Sequence, residues 1–570
     1  MPFACDLLVI GSGAAGMSAA ITARLLGLSV VVIEKEPWLG GTTALSGGWC
    51  WVPMSPVAIA AGVRDSRAAA MTYLLHETGA HADTARIETY LDEAPRMVSF
   101  FEAHTAVRFL ASPAFPDYHS DAPGAGEGRS IVCAPFDARL LGDFRLKLRP
   151  PLQQTTFLGL NVGSGTELKH FFNATRSWTS AVYVARRIAG HFVEVIRYGR
   201  GVTLANGNAL AGRLLKSAIE LGVDMRLETR AIALLSEPGR VTGVVIEHAG
   251  QTDEIHASAG VILACGGFSQ DVTFQKRLFP HARAGAEHAS PTSGGTTGDG
   301  LRLGEAAGGV VDEALPNAAA WMPVSRILTP GAEQAFPHVI DRAKPGVIAV
   351  TAPGRRFVNE ALSYHDFVQA LLAATQGREP RAYLVCDSRT LRRFGLGYVR
   401  PFPVPFSRHV RSGYLRRGRS IAELAARCGL DPAMLDRTVA AFNHDVASGR
   451  DSEFGKGSTA YNRFQGDQGG MGDPCLGPII QPPFYAVAVE PGDIGTFAGL
   501  KVNAASQVLD GDGAPIAGLY AAGNDAVSVM AGRYPGAGIN LGPALTFGYL
   551  AARHAADARE EAHSLAQADE

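Results

Sequence analysis

The sequence predicts an α/β fold in which one parallel-sheet domain, built from both ends of the chain, is interrupted by an inserted α+β domain. A strand, a glycine turn, a helix and a second strand follow one another in residues 5–36. Aromatic residues and prolines become more frequent from 316 to 484, and a later strand ends in glycine near 523. These observations predict a first domain formed by 1–315 and 485–570, with 316–484 as the insertion.

The first unit of the chain carries a dinucleotide-binding fingerprint. Gly11, Gly13 and Gly16 form G-x-G-x-x-G between an apolar strand and an alanine-rich helix. Gly11 permits the tight turn, Gly13 lets backbone approach a pyrophosphate, and Gly16 lets the helix pack on the strand. Glu34 closes the second strand, where a carboxylate can accept a hydrogen bond from a ribose hydroxyl. Spacing, strand, helix and acid agree, so we expect a dinucleotide site.

Composition excludes several classes of protein. The 570 residues suffice for two or more domains, and a net charge of −2 gives no global attraction to nucleic acid or membrane. The seven cysteines are scattered without C-x-x-C, which favours a reducing, cytoplasmic compartment. The apolar run 7–23 is broken by glycines, so it is better explained by the strand–helix unit than by a signal peptide or membrane span. No cluster has metal-ligand spacing.

Two further segments have alternative interpretations. The glycine- and hydroxyl-rich stretch 40–48 suits close approach to a flat ligand, or is simply a flexible loop. Segment 141–200 holds nine Lys/Arg against three Asp/Glu, and apolar residues recur at helical spacing from Trp178 to Val195. The favoured interpretation is a core-facing helix with a solvated basic face. The alternative is a lid or membrane-surface helix over 178–200, beside an apolar substrate entrance.

The order of these parts resembles the FAD-dependent succinate dehydrogenase and fumarate reductase flavoprotein superfamily. A strand ending in Gly523 and Asn524 would return to the cofactor held by the first unit, and 40–48 matches the superfamily's flavin-contacting loop. The resemblance implies a Rossmann-like FAD-binding domain with an inserted α+β substrate (cap) domain. The loop lacks the histidine that attaches FAD covalently in some members, so non-covalent FAD is expected. One fingerprint implies no nicotinamide partner and an external electron acceptor, such as a quinone, an acceptor protein or oxygen.

Two positions separate this chain from the fumarate reductases. After the motif R-F-x-N-E at 356–360, Tyr364 stands where those enzymes place an arginine proton donor. Asn540 stands where they hold a substrate carboxylate with a second arginine. Because a dicarboxylate needs cationic clamps, the resemblance argues against such a substrate.

Three local patterns instead resemble the 3-ketosteroid 1-dehydrogenases, which introduce the 1,2 double bond. They are Pro-Asp-Tyr at 116–118, N-E-x-x-x-Y ending at Tyr364 and followed by Phe367, and Y-P-G-x-G at 534–538. The chain departs from that family in its longer 141–200 segment and in Ser363, where proline is usual.

The resemblance implies a role for each pattern. Tyr534 and the backbone N–H of Gly538 would hold the ketone oxygen, Tyr364 would take the proton from carbon 2, and Tyr118 would hydrogen-bond to Tyr364. His119, His365 and His444 are expected to be structural. Fingerprint and resemblance together predict these FAD-binding residues: Gly11, Ser12, Gly13, Ala15, Gly16, Glu34, Lys35, Gly41, Thr42, Thr43, Ser46, Gly47, Gly48, Ala231, Gly266, Gly523, Asn524, Asn540 and Leu541.

The resulting prediction is an FAD-dependent enzyme that desaturates a 3-ketosteroid, or a similar bulky cyclic ketone, between carbons 1 and 2. Hydride would go to the flavin and the proton to a tyrosine base. One alternative is a fumarate-reductase-like enoate reductase or a 4,5-desaturating ketosteroid dehydrogenase. Another is a flavin-binding, membrane-peripheral protein without turnover, motivated by 178–200. The expected partners are an apolar ketone and an electron acceptor, in the cytoplasm or at a membrane surface, without nucleic acid.

Overall fold

Two large β-sheets organise the chain in a computed structural model, which describes residues 3–329, 332–469 and 472–568. The described strands are, in chain order, β1 (Phe3–Ile10), β2 (Val30–Ile33), β3 (Trp49–Trp51), β4 (Phe109–Leu110), β5 (Ser130–Cys133), β6 (Phe136–Asp137), β7 (Thr203–Leu204), β8 (Asp224–Arg226), β9 (Thr229–Glu237), β10 (Arg240–His248), β11 (Gln251–Leu263), β12 (Val311–Asp312), β13 (Ala319–Thr329), β14 (Ala332–Pro337), β15 (Val347–Thr351), β16 (Arg355–Arg356), β17 (Ala382–Asp387), β18 (Leu415–Gly418), β19 (Phe484–Thr496), β20 (Gly499–Leu500), β21 (Gln507–Leu509) and β22 (Pro515–Ala521).

Helices cover these sheets and supply most of the connections. The α-helices of the described residues are α1 (Ala14–Leu25), α2 (Pro56–Ala60), α3 (Arg67–Thr78), α4 (Thr84–His104), α5 (Thr166–Asn173), α6 (Trp178–Tyr198), α7 (Asn206–Glu220), α8 (Val272–Leu278), α9 (Pro280–Arg283), α10 (Asp299–Ala306), α11 (Tyr364–Thr375), α12 (Ser388–Phe394), α13 (Ser407–Arg411), α14 (Ile421–Cys428), α15 (Pro432–Ala447), α16 (Ala460–Gln465) and α17 (Leu541–Ala568). The stretch Gly41–Leu45 is a short 3₁₀ helix rather than an open loop.

The first sheet joins the two ends of the chain. Its order is β21-β22-β10-β11-β1-β2-β8, with β9 paired to β10. β1 lies between β2 and β11 and is parallel to both. β22 pairs in parallel with β11, so the predicted return of the C-terminal strand to the fingerprint's sheet is confirmed. The four residues of β2 are all buried, as expected of a strand covered on both faces.

Small residues bring α1 and α17 together at this sheet. A Cβ at Gly548 of α17 would overlap the carbonyl oxygen of Ala15, and a Cβ at Gly16 would overlap that of Gly11. The backbones therefore approach more closely than larger side chains would permit. This packing places the start of α17 beside the start of α1, and Gly523 contacts the same corner through Ala15.

A second, antiparallel sheet carries most of the remaining chain. Its order is β14-β13-β19-β17-β15-β16, with β18 also paired to β19. The 13-residue strand β19 pairs with β13, β17 and β18 and so holds this sheet together. The sheet spans 319–496, which means that its last strand continues beyond the predicted boundary at 484. The division into domains itself stays a prediction.

The favoured interpretation of the basic amphipathic segment is wrong. The predicted helix forms as α6, but its apolar stripe does not face the core: Trp178 is 83% exposed, and Phe192 and Val195 are exposed as well. The helix packs on α5 and buries the polar Ser180 and His191 instead. Periodicity gave the apolar face correctly, but no layer of the described chain covers it. No helix in the described part of the chain is long and apolar enough to cross a membrane.

Candidate active site

One cavity of about 1090 Å³ runs from the carboxyl end of β1 and β2 to the second sheet. Every predicted site residue lines it except Gly16. Gly16 packs against Gly11 and Val9 and lets α1 approach the glycine turn, so its assignment to the cofactor site stays a prediction. The volume exceeds that of a typical drug-sized pocket, which leaves space for an extended cofactor and a second ligand.

The end of the cavity at α1 fits a dinucleotide. Gly13 is the N-cap of α1 and gives it no side-chain cap, so the N–H groups of the first turn other than that of Ala14 can bind an anion. Thr43 Oγ1 accepts a hydrogen bond of 2.9 Å from Ala14 N and ties the 3₁₀ helix to this turn. Glu34 accepts hydrogen bonds from the backbone N–H and hydroxyl of Ser12, at 3.1 and 2.7 Å, at the end of β2.

Farther along, a buried carboxylate shapes the loop after β11. Asp525 accepts hydrogen bonds from the backbone N–H groups of Cys265 and Gly267, the latter at 3.0 Å. This arrangement holds Gly266 with a φ of 91° at the cavity wall. Asp525 was missed by sequence reasoning, since an aspartate after Gly-Asn carries no motif of its own. The start of α17, at Leu541, faces the same part of the cavity.

Three tyrosines from distant segments meet where the two sheets approach each other. Tyr118, Tyr364 and Tyr534 are all buried, at 5% exposure or less. Tyr118 Oη donates a 3.1 Å hydrogen bond to Tyr364 Oη. The ring of Tyr534 lies parallel to that of Tyr118, with centroids 5.6 Å apart, and edge-on to Tyr364 at 4.9 Å. The three local patterns therefore converge on one wall of the cavity.

A fourth tyrosine, Tyr461 of α16, belongs to this cluster and was missed by sequence reasoning. Its ring packs against Tyr118 with centroids 4.5 Å apart, and it is 1% exposed. α16 has six residues and no recognisable motif, so only the tertiary structure reveals its position.

The loop that carries Tyr118 is held by an ion pair that sequence reasoning also missed. Asp117 accepts hydrogen bonds from Arg129 Nη1 at 2.6 Å and from Trp51 Nε1 at 2.8 Å. Burial raises the pKa of Asp117 to about 6, although the charge of Arg129 opposes the shift. Tyr118 N donates to the carbonyl of Pro535 at 2.9 Å. The Tyr118 loop and the 534–538 turn are therefore fixed to each other.

The two histidines nearest the tyrosines hold neighbouring segments together, and their assignment as structural residues stays a prediction. His119 lies between two carboxylates, 2.7 Å from Glu77 and 2.9 Å from Asp366. Burial alone would lower its pKa, but hydrogen bonds and charges from Asp366 and Glu77 raise it to about 10. This bridge ties the Tyr118 loop to the first turn of α11. His365 accepts from Trp321 N at 3.1 Å, and burial lowers its pKa to about 4.

Burial disfavours ionisation of the tyrosine hydroxyls. Burial raises the pKa of Tyr364 well above its usual value, and the neighbouring Tyr118 and Tyr534 add to the effect. Burial raises the pKa of Tyr534 to about 12. Within the described residues, no lysine or arginine contacts either hydroxyl. A phenolate at Tyr364 is therefore reached only at alkaline pH or with help from bound ligands.

The chain is similar to known flavin-dependent proteins over almost its full length. A family described as FAD binding domain matches residues 6–541. The chain is 42% identical to 4-oxocyclohex-2-ene-1-carboxylate 5-dehydrogenase of Sinomonas cyclohexanicum, over 99% of this chain and 96% of that protein. It is 36% identical to 3-oxosteroid 1-dehydrogenase of Mycobacterium tuberculosis, over 97% and 98%.

Solved structures give the same assignment. The 3-ketosteroid Δ1-dehydrogenase from Sterolibacterium denitrificans, in complex with 1,4-androstadiene-3,17-dione, has a TM-score of 0.90 and 33% identity, covering 97% of this chain and all of that one. A flavocytochrome c3 fumarate reductase, at 20% identity and a TM-score of 0.63, shares the fold over 98% of this chain and 79% of its own. The chain therefore belongs to the FAD binding domain family, among the flavoprotein dehydrogenases that include the 3-oxosteroid 1-dehydrogenases.

Proposed function

We propose that this enzyme, with FAD bound, removes two hydrogens from adjacent ring carbons beside a cyclic ketone and forms a conjugated double bond. The observation that carries this proposal is the meeting of Tyr118, Tyr364 and Tyr534 at the wall of the cavity that the fingerprint also lines. When bound, FAD supplies the hydride acceptor. The protein supplies the groups that make the C–H beside the ketone acidic.

In this proposal the 534–538 turn binds the ketone oxygen. Tyr534 Oη and the backbone N–H of Gly538 both lie at the cavity, and each can donate one hydrogen bond. Gly538 has a φ of 98°, and a Cβ there would overlap the backbone of Trp49. Only glycine therefore brings this N–H close to the ligand. Two such donors polarise the carbonyl and stabilise the enolate character of the transition state.

Tyr364 takes the proton from the carbon next to the ketone. Tyr364 lines the cavity beside Tyr534, and the centroids of the two rings are 4.9 Å apart. The bond from Tyr118 fixes the direction of the accepting oxygen. Since Tyr118 is itself anchored to the carbonyl of Pro535, base and oxygen site keep one geometry.

The substrate is a ring ketone that fits among apolar side chains. Phe115, Met322, Phe336, Leu396 and Ile494 line the cavity around the tyrosines. The related dehydrogenases named above act on ring ketones of two kinds, a fused steroid and a single six-membered ring. The external electron acceptor in our proposal is a quinone, and FAD would be held without a covalent bond.

Anaerobic mixing of the holoenzyme with ketones tests this function. Flavin absorbance should bleach with 4-androstene-3,17-dione or 4-oxocyclohex-2-ene-1-carboxylate and should stay unchanged with succinate. Product NMR should place the new double bond beside the carbonyl, between its α and β carbons. Bleaching by succinate alone would support the rival enoate-reductase assignment, and formation of only a 4,5 double bond from 5α-androstane-3,17-dione, whose A ring is saturated, would support the 4,5-desaturase assignment. Absence of bleaching with every ketone would support the non-enzymatic alternative.

A further inference from the structure

The part of the cavity beside the C-terminal end of α16 is cationic. We define the distal cationic cluster as Lys169, Arg176, Lys344 and Arg393, all of which line the cavity. Its members lie on separate elements: Lys169 on α5, Arg176 after it, Lys344 before β15, and Arg393 on α12. Chain proximity therefore does not explain why four positive side chains face one space.

The length of helix α16 gives the distance between this cluster and the tyrosines. Tyr461, near its start, packs on Tyr118. The cluster contacts the other end: Lys344 Nζ donates to the carbonyls of Gln465 and Gly466, at 2.7 and 2.9 Å. Four residues of helix cover about 6 Å. The cluster therefore lies about one helix turn beyond Tyr461, within reach of a carboxylate on the far side of a ring ketone held at the tyrosines.

The acidic groups nearby do not neutralise the cluster. Asp467 pairs with Arg393. Asp341 also lines this part of the cavity, but its carboxylate accepts from Gly397 N at 2.9 Å and lies 2.7 Å from His338. Arg400 adds another positive charge and donates to two backbone carbonyls. Five cations face two carboxylates in this part of the cavity.

Two members of the cluster retain donors for a ligand. An ammonium group has three N–H donors, and the described contacts of Lys344 use two of them. Burial lowers the pKa of Lys344 to about 8, and a nearby anion would favour its charged form. Arg176 is exposed at the cavity rim, and within the described chain no carboxylate lies within ion-pair distance of it. A neutral ligand at this end would leave both unpaired.

We propose that the natural substrate is a ring ketone that carries a carboxylate on the side remote from the carbonyl, held by Lys344, Arg393 and Arg176. This inference rests on the proposed function and names the substrate class for it. It agrees with the absence of cationic clamps at Tyr364 and Asn540, because only one end of the ligand is anionic. Specificity would then depend on charge at one end of the cavity and on ketone chemistry at the other.

The experiment compares two substrates of the holoenzyme that have the same ring, one with a free carboxylate and one without charge. The probes are 4-oxocyclohex-2-ene-1-carboxylate and its methyl ester, and the readouts are KM, kcat and the ligand-induced shift of the flavin absorption spectrum. The wild type should prefer the acid in kcat/KM. Lys344→Met should raise KM for the acid about 10- to 100-fold, the effect of a hydrogen bond to a charged group, and leave the ester unaffected.

Matched variants separate charge from folding. Lys344→Arg should recover part of the affinity for the acid, and Asp467→Asn should lower KM for the acid because it frees Arg393. Lys276→Met removes an exposed lysine of α8 that does not line the cavity, so it should change neither substrate. Thermal unfolding of each variant reports on its folding.

Three results would overturn the inference: a wild type that prefers the ester, equal loss of acid and ester in Lys344→Met, or turnover of neutral steroids alone. The spectral shift reports binding without chemistry. Charge-selective binding without turnover would reject the proposed function and leave the anion site intact. Turnover without charge selectivity would support the proposed function and reject the anion site.

Discussion

Tyr364 presents a single oxygen to the reaction, and its ring is already fixed by Tyr118 and Tyr534. Replacing it with phenylalanine removes the proposed base but keeps the ring contacts. We expect Tyr364→Phe to bind flavin normally and to lose kcat about 100- to 10,000-fold, the usual contribution of general base catalysis. Stopped-flow reduction of the flavin by the ketone measures this loss.

Tyr461→Phe is the matched control for that change, because it alters another buried tyrosine of the same cluster. It should keep most of the turnover. If Tyr364→Phe reduced its flavin at the wild-type rate, the base would have to be another group.

The same tyrosine sets the expected dependence of rate on pH. Burial holds the pKa of Tyr364 well above its usual value, so the competent phenolate is scarce at neutral pH. The value of kcat/KM should therefore rise from pH 7 toward pH 10, by about tenfold per unit where this ionisation limits the rate. A profile measured at constant ionic strength checks this, and a rate that falls over that range would contradict it.

His119 predicts a pH dependence of stability instead of rate. Its folded-state pKa is raised to about 10 by Glu77 and Asp366, against 6.5 for an ordinary histidine. A raised pKa contributes stability that is complete below pH 6.5 and is lost as pH rises through 10. Urea unfolding of the wild type and His119→Gln should differ most at pH 6 and converge above pH 10. If the difference in unfolding free energy between the two proteins stayed constant from pH 6 to pH 10, the charge of His119 would not contribute to stability.

At the scale of elements, the close contact between α1 and the glycine turn requires glycine at position 16. A methyl group at Gly16 would overlap the Gly11 carbonyl and push α1 away from the turn. Gly16→Ala should therefore lower both the bound flavin content and the melting temperature. Gly190→Ala is the matched control, since that α6 glycine has nothing within 4 Å of an added Cβ. The control should be neutral or stabilising, because alanine favours helix by about 1 kcal/mol over glycine.

Helix α6 leaves an exposed apolar face beside basic residues, and its membrane interpretation stays a prediction. Trp178 and Ile196 are 83% and 85% exposed, and Arg186 and Arg197 lie on the same helix. Co-sedimentation with phosphatidylglycerol vesicles should decrease in the double variant Trp178→Ser, Ile196→Ser, while ketone turnover is retained. Equal sedimentation of wild type and variant would reject this role for α6.

At the scale of the whole molecule, the sequence was most informative where chemistry requires a local motif. The glycine turn, the three tyrosine patterns and the returning strand β22 were all predictable, because each depends on residues close together in the chain. The predictions of an FAD-dependent dehydrogenase and of its fold are confirmed by the family match and the related structures.

What the sequence could not predict depends on tertiary structure. The placement of α16 brings Tyr461 against Tyr118, and the placement of the segment before β15 brings Lys344 to the cavity. The Asp117–Arg129 pair is recognisable only when the two residues are seen to be buried together. Periodicity identified the apolar face of α6, but whether another layer covers such a face is decided by the rest of the fold.

The position of β1 between β2 and β11, with β22 beyond, has a consequence for synthesis on the ribosome. The fingerprint emerges early, yet β22 is made about 250 residues after β11 ends. At 5 to 20 residues per second, this interval lasts about 10 to 50 seconds. During that time Val261–Leu263 of β11 lack their pairing with β22, and the start of α17 is missing from the wall of the cavity. We therefore expect FAD to bind only after the C-terminal segment with β22 and the start of α17 has been synthesised.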